Sequence, residues 1–168
     1  LLLADGVIGT MMEPVVLPEP KTDEEVAAIK ESKKSWACVG HALDYANRAW
    51  IQPGNWSTLV MQQCNEEAAA MYESWQKEAM VEEYQTEDAE LILTAYGISG
   101  RISKSAVNLL RAQGIKAGLI RPITVYPFPN AAYDRIDYGK VKAILDIEMS
   151  IPALFVDDVK AAVRSEEH

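Results

Sequence analysis

The chain has 168 residues, 49% hydrophobic and 24% charged, with 9 Gly, 8 Pro, 2 Cys and 8% aromatics, an ordinary globular composition that excludes collagen-like, coiled-coil and disulfide-rich classes. A net charge of −9, from 25 acidic against 16 basic residues, repels nucleic acid and anionic lipid and argues against either as a partner. Cys38 and Cys64 stand far apart, which argues against a Cys-rich zinc or iron–sulfur site inside this chain and fits a reducing cytoplasm. No apolar run approaches the roughly 20 residues of a spanning helix, and the first residues lack the basic-then-apolar pattern of a secretion signal.

In chain order, Leu1-Leu2-Leu3-Ala4-Asp5-Gly6 is an apolar run stopped by a turn signal, the pattern of a strand buried on both faces of a parallel sheet. No neighbouring strand and no initiator Met precede it, so the run reads as the last strand of a domain encoded upstream; a strand added to an edge of the later sheet is the alternative. Val7–Glu13 suits a short helical turn, and Pro14-Val15-Val16-Leu17-Pro18-Glu19-Pro20 an extended linker. Thr22-Asp23-Glu24-Glu25 is a capping box opening a helix. The stretch Ser35–Thr58, with Trp36, Gly40, Trp50, Pro53, Gly54 and Trp56, shows no clear period. From Asn65 to Glu83, Ala68, Tyr72, Trp75 and Ala79 recur at helical steps opposite Glu66, Glu67, Glu73 and Lys77, which predicts an amphipathic helix whose stripe packs on the same chain.

From Ala89 the chain reads strand, helix, strand. Leu91–Tyr96 is a buried strand, Gly97–Gly100 a tight turn, Ser103–Gln113 a helix with Ala106, Val107, Leu109 and Leu110 inward, Gly114 a helix stop and Ile115–Ile120 a second strand. Such a unit is expected to be right-handed and parallel. The prolines of Arg121-Pro122-Ile123-Thr124-Val125-Tyr126-Pro127-Phe128-Pro129 keep that stretch from being central strand throughout. A short helix over Asn130–Tyr138, a third strand over Val141–Ile147 and a helix over Phe155–Arg164, with Val156, Val159 and Val163 on one side, complete an α/β fold. It is a three-layer α/β/α open, mainly parallel sheet, preceded by a linker and an amphipathic helix.

Open parallel sheets bind ligands at the carboxyl ends of their strands, which draws attention to Gly97-Ile98-Ser99-Gly100-Arg101. Backbone N–H groups there can hold an anion, with Gly97, Ser99, Gly100 and Arg101 as candidates and a regulatory phosphate- or nucleotide-binding module as the implied function. The plainer reading is that two glycines make a tight turn, since neither the dinucleotide fingerprint nor a phosphate loop is complete. Asp5-Gly6 resembles half of the Gly-Asp-Gly element of thiamine enzymes, but Ala4 replaces the first glycine and no Asn-Asn pair follows, so a strand-ending turn is the plainer role. His41 and the terminal His168 are the only histidines, so a Ser/His/Asp or Cys/His arrangement would have to use His41, in the stretch without clear period. Arg121, one step past a buried strand, suits either a carboxylate of a neighbouring domain or an internal salt bridge with Glu148 or Asp146.

Two segments, Asp5-Gly6-Val7-Ile8-Gly9-Thr10-Met11-Met12-Glu13-Pro14-Val15 and Gly114-Ile115-Lys116-Ala117-Gly118-Leu119-Ile120-Arg121-Pro122-Ile123-Thr124-Val125-Tyr126-Pro127-Phe128-Pro129, resemble the alpha-type subunit of 2-oxoacid:ferredoxin oxidoreductases, nearest the 2-ketoisovalerate (3-methyl-2-oxobutanoate) enzymes. Glu87-Asp88-Ala89 and Glu148-Met149 add to the match. The sequence departs from the family at Thr10, where Gln is common, at Ser150-Ile151-Pro152-Ala153, and after Val163, where the family's final strand and helix are lacking. The resemblance implies a complex that decarboxylates a 2-oxo acid on thiamine diphosphate with magnesium, passes electrons through iron–sulfur clusters to ferredoxin, and gives the acyl group to coenzyme A. It implies that residues 1–20 are the remnant of a thiamine-pyrimidine-binding domain and its exit linker. Residues 21–88 would be a helical or irregular connector, and 89–168 a transketolase C-terminal-like domain truncated at its end. Catalytic, cofactor and metal residues then belong elsewhere in the complex, this segment serves subunit assembly, and pyruvate or 2-oxoglutarate members are alternatives for the substrate.

Overall fold

A computed structural model describes residues 1–12, 14–33 and 57–163. Trp36, Cys38, Gly40, His41, Trp50, Pro53, Gly54, Trp56, Arg164 and His168 lie outside the described residues. The chain divides into two compact units, one made of Leu1–Met11 with the chain from Ala69 onward, the other of Met12–Ala68. In the second unit, α2 (Asp23–Lys33) is opened by the expected capping box: Thr22 N–H donates to Glu25 Oε2 at 2.8 Å and Glu25 N–H to Thr22 Oγ1 at 3.3 Å.

The first unit is built on a four-stranded sheet of order β1-β3-β2-β4, with β1 (Val81–Tyr84), β2 (Leu91–Ala95), β3 (Ala117–Pro122) and β4 (Ala143–Ile147). β2 pairs in parallel with β3 and β4, while β1 lies antiparallel on β3 with Glu82 opposite Arg121. Because side chains alternate across a strand, Ile92, Thr94 and Ile120 face one way and Leu93, Ala95 and Leu119 the other. The first set packs with Ala132 and Tyr133 of α5 (Asn130–Asp134) and with Phe155, Val159 and Ala162 of α6 (Phe155–Val163). The second set packs with Val107 of α4 (Gly97–Ala112). Three layers result, as the strand–helix–strand pattern requires. Between them lies one buried polar pair, Thr94 Oγ1 with Tyr133 Oη at 2.6 Å, and burial pushes the Tyr133 phenol up to about 12.

Several expectations are corrected. Leu1–Leu3 do not join an edge of the later sheet, the alternative given for them: all three are exposed, Leu2 at 98%, and the edges are β1 (Val81–Tyr84) and β4. The helix expected over Asn65–Glu83 is α3 (Thr58–Ser74) followed by a single 3-10 turn (Trp75–Glu78), and its last residues extend to become β1. Glu82 and Glu83 hide that strand in the sequence, because charges on an edge strand read as a solvated helix face. Tyr72 and Trp75 of the predicted stripe pack edge-to-face on each other (5.3 Å between ring centres) and on Tyr126 (6.1 and 6.2 Å). α4 starts at Gly97 rather than after a Gly97–Gly100 turn, and Leu109 is 66% exposed rather than inward. Among the described residues no helix is long and apolar enough to cross a membrane.

Ile120 is fully buried at the centre of the sheet. Ile120→Ala is expected to cost about 2–5 kcal/mol through lost transfer energy and the cavity left behind, measured as a lowered urea midpoint with unchanged slope. The same change at exposed Leu109 should cost far less.

Candidate functional site

The carboxyl end of β2 leads directly into α4, so the first amides of that helix point at the crevice where open sheets bind ligands. A helix N-terminus leaves N–H groups without intrahelical acceptors and attracts negative charge. Here the chain supplies that charge itself. Ile98 N–H donates to Asp5 Oδ2 at 2.9 Å, and the other oxygen, Oδ1, accepts from Val7 N–H at 2.8 Å and Ile8 N–H at 3.1 Å at the start of α1 (Gly6–Gly9). One carboxylate therefore closes two helix starts. The Ile98 amide, then that of Ile8, hold the Asp5 carboxyl below its ordinary value against a smaller opposing effect of burial.

The candidate residues of the Gly97–Arg101 segment fall into place around this clasp. Gly97 has φ +54°, and a Cβ there would overlap Asp5 Oδ2, so glycine is needed for both conformation and space. Ser99 is buried. Arg101 is exposed, with Nη1 donating to Met11 Sδ at 3.5 Å, which ties the far end of the Leu1–Met11 segment to α4. Gly100 lies under the Arg121 side chain: a Cβ would come within 3.0 Å of Arg121 Cδ.

Arg121 sits inside β3, and its carboxylate partner is Glu82 of β1, with Nη1 3.0 Å from Oε2, rather than Glu148 or Asp146. Lys104 of α4 donates to the other Glu82 oxygen. These two cations, Lys104 first, hold the Glu82 carboxyl below its ordinary value. Partly exposed pairs of this kind are each worth at most about 1 kcal/mol, so their effect is to fix β1 and α4 about Arg121. Sequence reasoning missed Glu82 because it missed β1; the pair Met80-Val81 with Tyr84 was the available strand signal.

The remaining chemistry at this edge is carboxylate. Glu148, just past β4, accepts from Phe155 N–H at 3.3 Å and Val156 N–H at 3.4 Å at the start of α6. Tyr96 Oη and Ser150 Oγ meet at 3.1 Å. Among the described residues no three His, Cys, Asp or Glu side chains gather to hold a metal. Cys64 is an exposed free thiol.

Residues 89–168 match the family model for the pyruvate:ferredoxin oxidoreductase core domain II. Ketoisovalerate oxidoreductase subunit VorB of Methanothermobacter marburgensis is 37% identical over 168 residues, covering 96% of this chain and 44% of that protein. The chain is thus similar to subunits of 2-oxoacid:ferredoxin oxidoreductases. The VorB subunit of Methanothermobacter thermautotrophicus is 35% identical over 153 residues, covering 89% of this chain and 40% of that protein. The chain thus spans less than half the length of these curated relatives. A solved 2-oxoglutarate:ferredoxin oxidoreductase from Magnetococcus marinus, with 2-oxoglutarate, coenzyme A and succinyl-CoA bound, superposes with a TM-score of 0.58 at 17% identity. It covers 77% of this chain and 27% of that one, and shares the α/β fold.

Gly97→Ala should destabilise the first unit by more than the ~1 kcal/mol that a side chain pays at left-handed φ, because the new methyl also meets Asp5. Adding Asp5→Ala relieves the overlap but not the backbone strain, so urea unfolding of the two single variants and the double variant should show coupling rather than additivity. The Asp5 contribution is fully present above its ordinary value of 3.8 and is lost as pH falls through the lower folded value.

Proposed function

We propose that this chain is a segment of a 2-oxoacid:ferredoxin oxidoreductase subunit whose complex oxidatively decarboxylates 2-ketoisovalerate to acyl-CoA and CO2, with electrons passing to ferredoxin. The observation that carries the reading is identity of 37% with a ketoisovalerate oxidoreductase subunit across 96% of the chain, rather than across the core domain alone. The segment's own part is assembly: residues 89–168 form a transketolase C-terminal-like body, and Leu1–Pro20 form the exit from a thiamine-pyrimidine-binding domain with its linker. Arg121 is retained as a residue that positions the interdomain face. A cytoplasmic setting accords with such a complex.

The cofactors of that complex, thiamine diphosphate with magnesium and iron–sulfur clusters, do not fit the described residues. Asp5, which resembles part of a metal–diphosphate element, has both oxygens engaged by backbone amides, and Cys64 stands without a second described cysteine. No catalytic step is assigned to this segment. A phosphate at the Gly97–Arg101 helix start would have to displace the Asp5 carboxylate from the Ile98 amide.

The 168-residue chain, given 2-ketoisovalerate, coenzyme A, thiamine diphosphate, magnesium and a viologen acceptor, is expected to release no CO2. The longer polypeptide assembled with its partner subunits should turn over and should favour 2-ketoisovalerate over pyruvate and 2-oxoglutarate in kcat/KM. Turnover by the chain alone would overturn the assembly role; preference for another 2-oxo acid would overturn the substrate assignment.

A further inference from the structure

We propose that a cavity of about 230 Å³, between the β1–β2 turn and the segment joining α5 to β4, binds a small aliphatic ammonium ion, with its hydrocarbon body on the sheet and its charge on Glu87. Ala89 and Val141, which line it, come just before β2 and β4, so the cavity lies at the amino ends of the parallel strands. The Asp5 clasp is at the other end. The site is therefore separate from the residues given the assembly role.

The floor is apolar. Ala89, Ile92, Ile120 and Ala132 are each at or below 3% exposure, and the half-buried Ile136 and Val141 close the sides. All six side chains are aliphatic, so an occupant gains by withdrawing hydrocarbon from water. The volume lies below the roughly 300–1,000 Å³ of cavities that take drug-sized molecules, which restricts the occupant to a short aliphatic body.

Both walls are fixed before anything binds. Arg111 of α4 donates from Nε to the Ala117 carbonyl at 2.6 Å, and from Nη2 to the Gln85 carbonyl at 2.7 Å and Asp88 Oδ1 at 2.6 Å, which pins the turn carrying Thr86 and Glu87. On the far side Ile136 N–H donates to the Tyr133 carbonyl at 3.1 Å and Val141 N–H to the Asp137 carbonyl at 3.0 Å. Lys142 N–H donates to the Glu90 carbonyl at 2.8 Å, which ties that side back to the start of β2. A cavity formed in advance loses little binding energy to ordering.

The charges at the mouth select the head group. Arg135 pairs with Glu83, and Lys140 with Asp137 at 2.6 Å, so both cations lining the cavity are already engaged. Glu87 lines it as well, and among the described residues no cation forms an ion pair with Glu87; Arg111 and Lys116 are held by Asp88 and Glu90. One negative charge is therefore left over beside an apolar floor. An anionic head would face that charge and have to open an existing pair to reach a cation, whereas an ammonium meets a free carboxylate in a charge-assisted hydrogen bond. A free aliphatic amine and an aliphatic amino acid share this chemistry.

The test is an NMR titration of the 168-residue chain with 3-methylbutylamine, leucine and 3-methylbutanoate. It reads the methyl signals of Ile92, Ile120, Ile136 and Val141 against those of Leu93 and Val107 on the opposite face of the sheet. The amine should shift the first set saturably, with Kd on the order of 1 mM, and leave the second set in place. The carboxylate of the same shape should shift neither. Tighter binding of leucine than of the amine would identify an amino acid, its carboxylate reaching Arg135, and weaker binding a free amine; both results support the ammonium site. Glu87→Gln, at an exposed position, should weaken the amine about tenfold. Glu73→Gln on α3 removes the same charge outside the cavity and should change nothing. Absence of a saturable shift at the four methyl-bearing residues, equal binding of the amine and 3-methylbutanoate, or equal weakening by the two substitutions would overturn the site.

Discussion

A parallel strand pair buried on both faces can exist only between two covering layers, and β2 with β3 is such a pair. Ile92, Leu93, Leu119 and Ile120 are all at or below 2% exposure, so apolar surface is withdrawn from water on both sides of one sheet. Each fully buried side chain of this size is worth about 1.5–3 kcal/mol, which makes the two covering layers, α4 on one side and α5 with α6 on the other, a condition of the sheet rather than an ornament of it. The helices cover the sheet with apolar sides, but their amino-terminal amides still need acceptors. That need arises at one end of the sheet, because helices that follow parallel strands all begin at the strands' carboxyl ends.

At that end, each of the two longer helices takes a carboxylate from elsewhere in the chain. Asp5 reaches α4 from a residue remote in sequence, and Glu148 reaches α6 from the exit of β4. An open sheet of this kind offers a crevice for a ligand anion at the same place. Filling it with the protein's own acids supports the assembly role proposed for this segment: the edge that could do chemistry is spent on joining Leu1–Met11 to the sheet and α6 to β4. Arg121 extends the same logic, since its guanidinium lies over Gly100 and pairs with Glu82, tying α4, β3 and β1 together.

The central βαβ unit was readable because its signals are local: apolar runs for β2 and β3, a helical period for α4, and Gly114 with positive φ at the stop. What the sequence hid was set by contacts distant along the chain. Val81–Tyr84 carries two glutamates, and nothing nearby shows that Lys104 with Arg121 and Arg135 will pair with them on the sheet edge. Gly97 and Gly100 read as turn residues, whereas one makes room for Asp5 and the other for Arg121, both far away in sequence. Leu1–Leu3 has strand composition with no described strand to pair with, a reminder that composition specifies a preference and pairing specifies the strand. Arg121 reads in the sequence as a charge one step past a buried strand in search of a carboxylate, but it lies within β3 and its partner, Glu82, is on the strand that the charge pattern hides.

Two carboxyl groups at this end of the sheet, Asp5 and Asp146, respond to acid in opposite senses. Asp5 is held below 3.8 by amides that prefer its charged form, so its clasp weakens only as pH falls through that low range. Asp146 is raised to about 6, so the folded state binds its proton more tightly than the unfolded chain does, and stability falls as pH rises from about 4 through 6. The signs follow from what surrounds each carboxyl: backbone N–H groups at Asp5, and burial with Oδ1 unpartnered at Asp146. Asp5 therefore keeps Leu1–Met11 joined to α4 across the neutral range, where an ionised Asp146 carries a burial cost at the β4 end of the sheet.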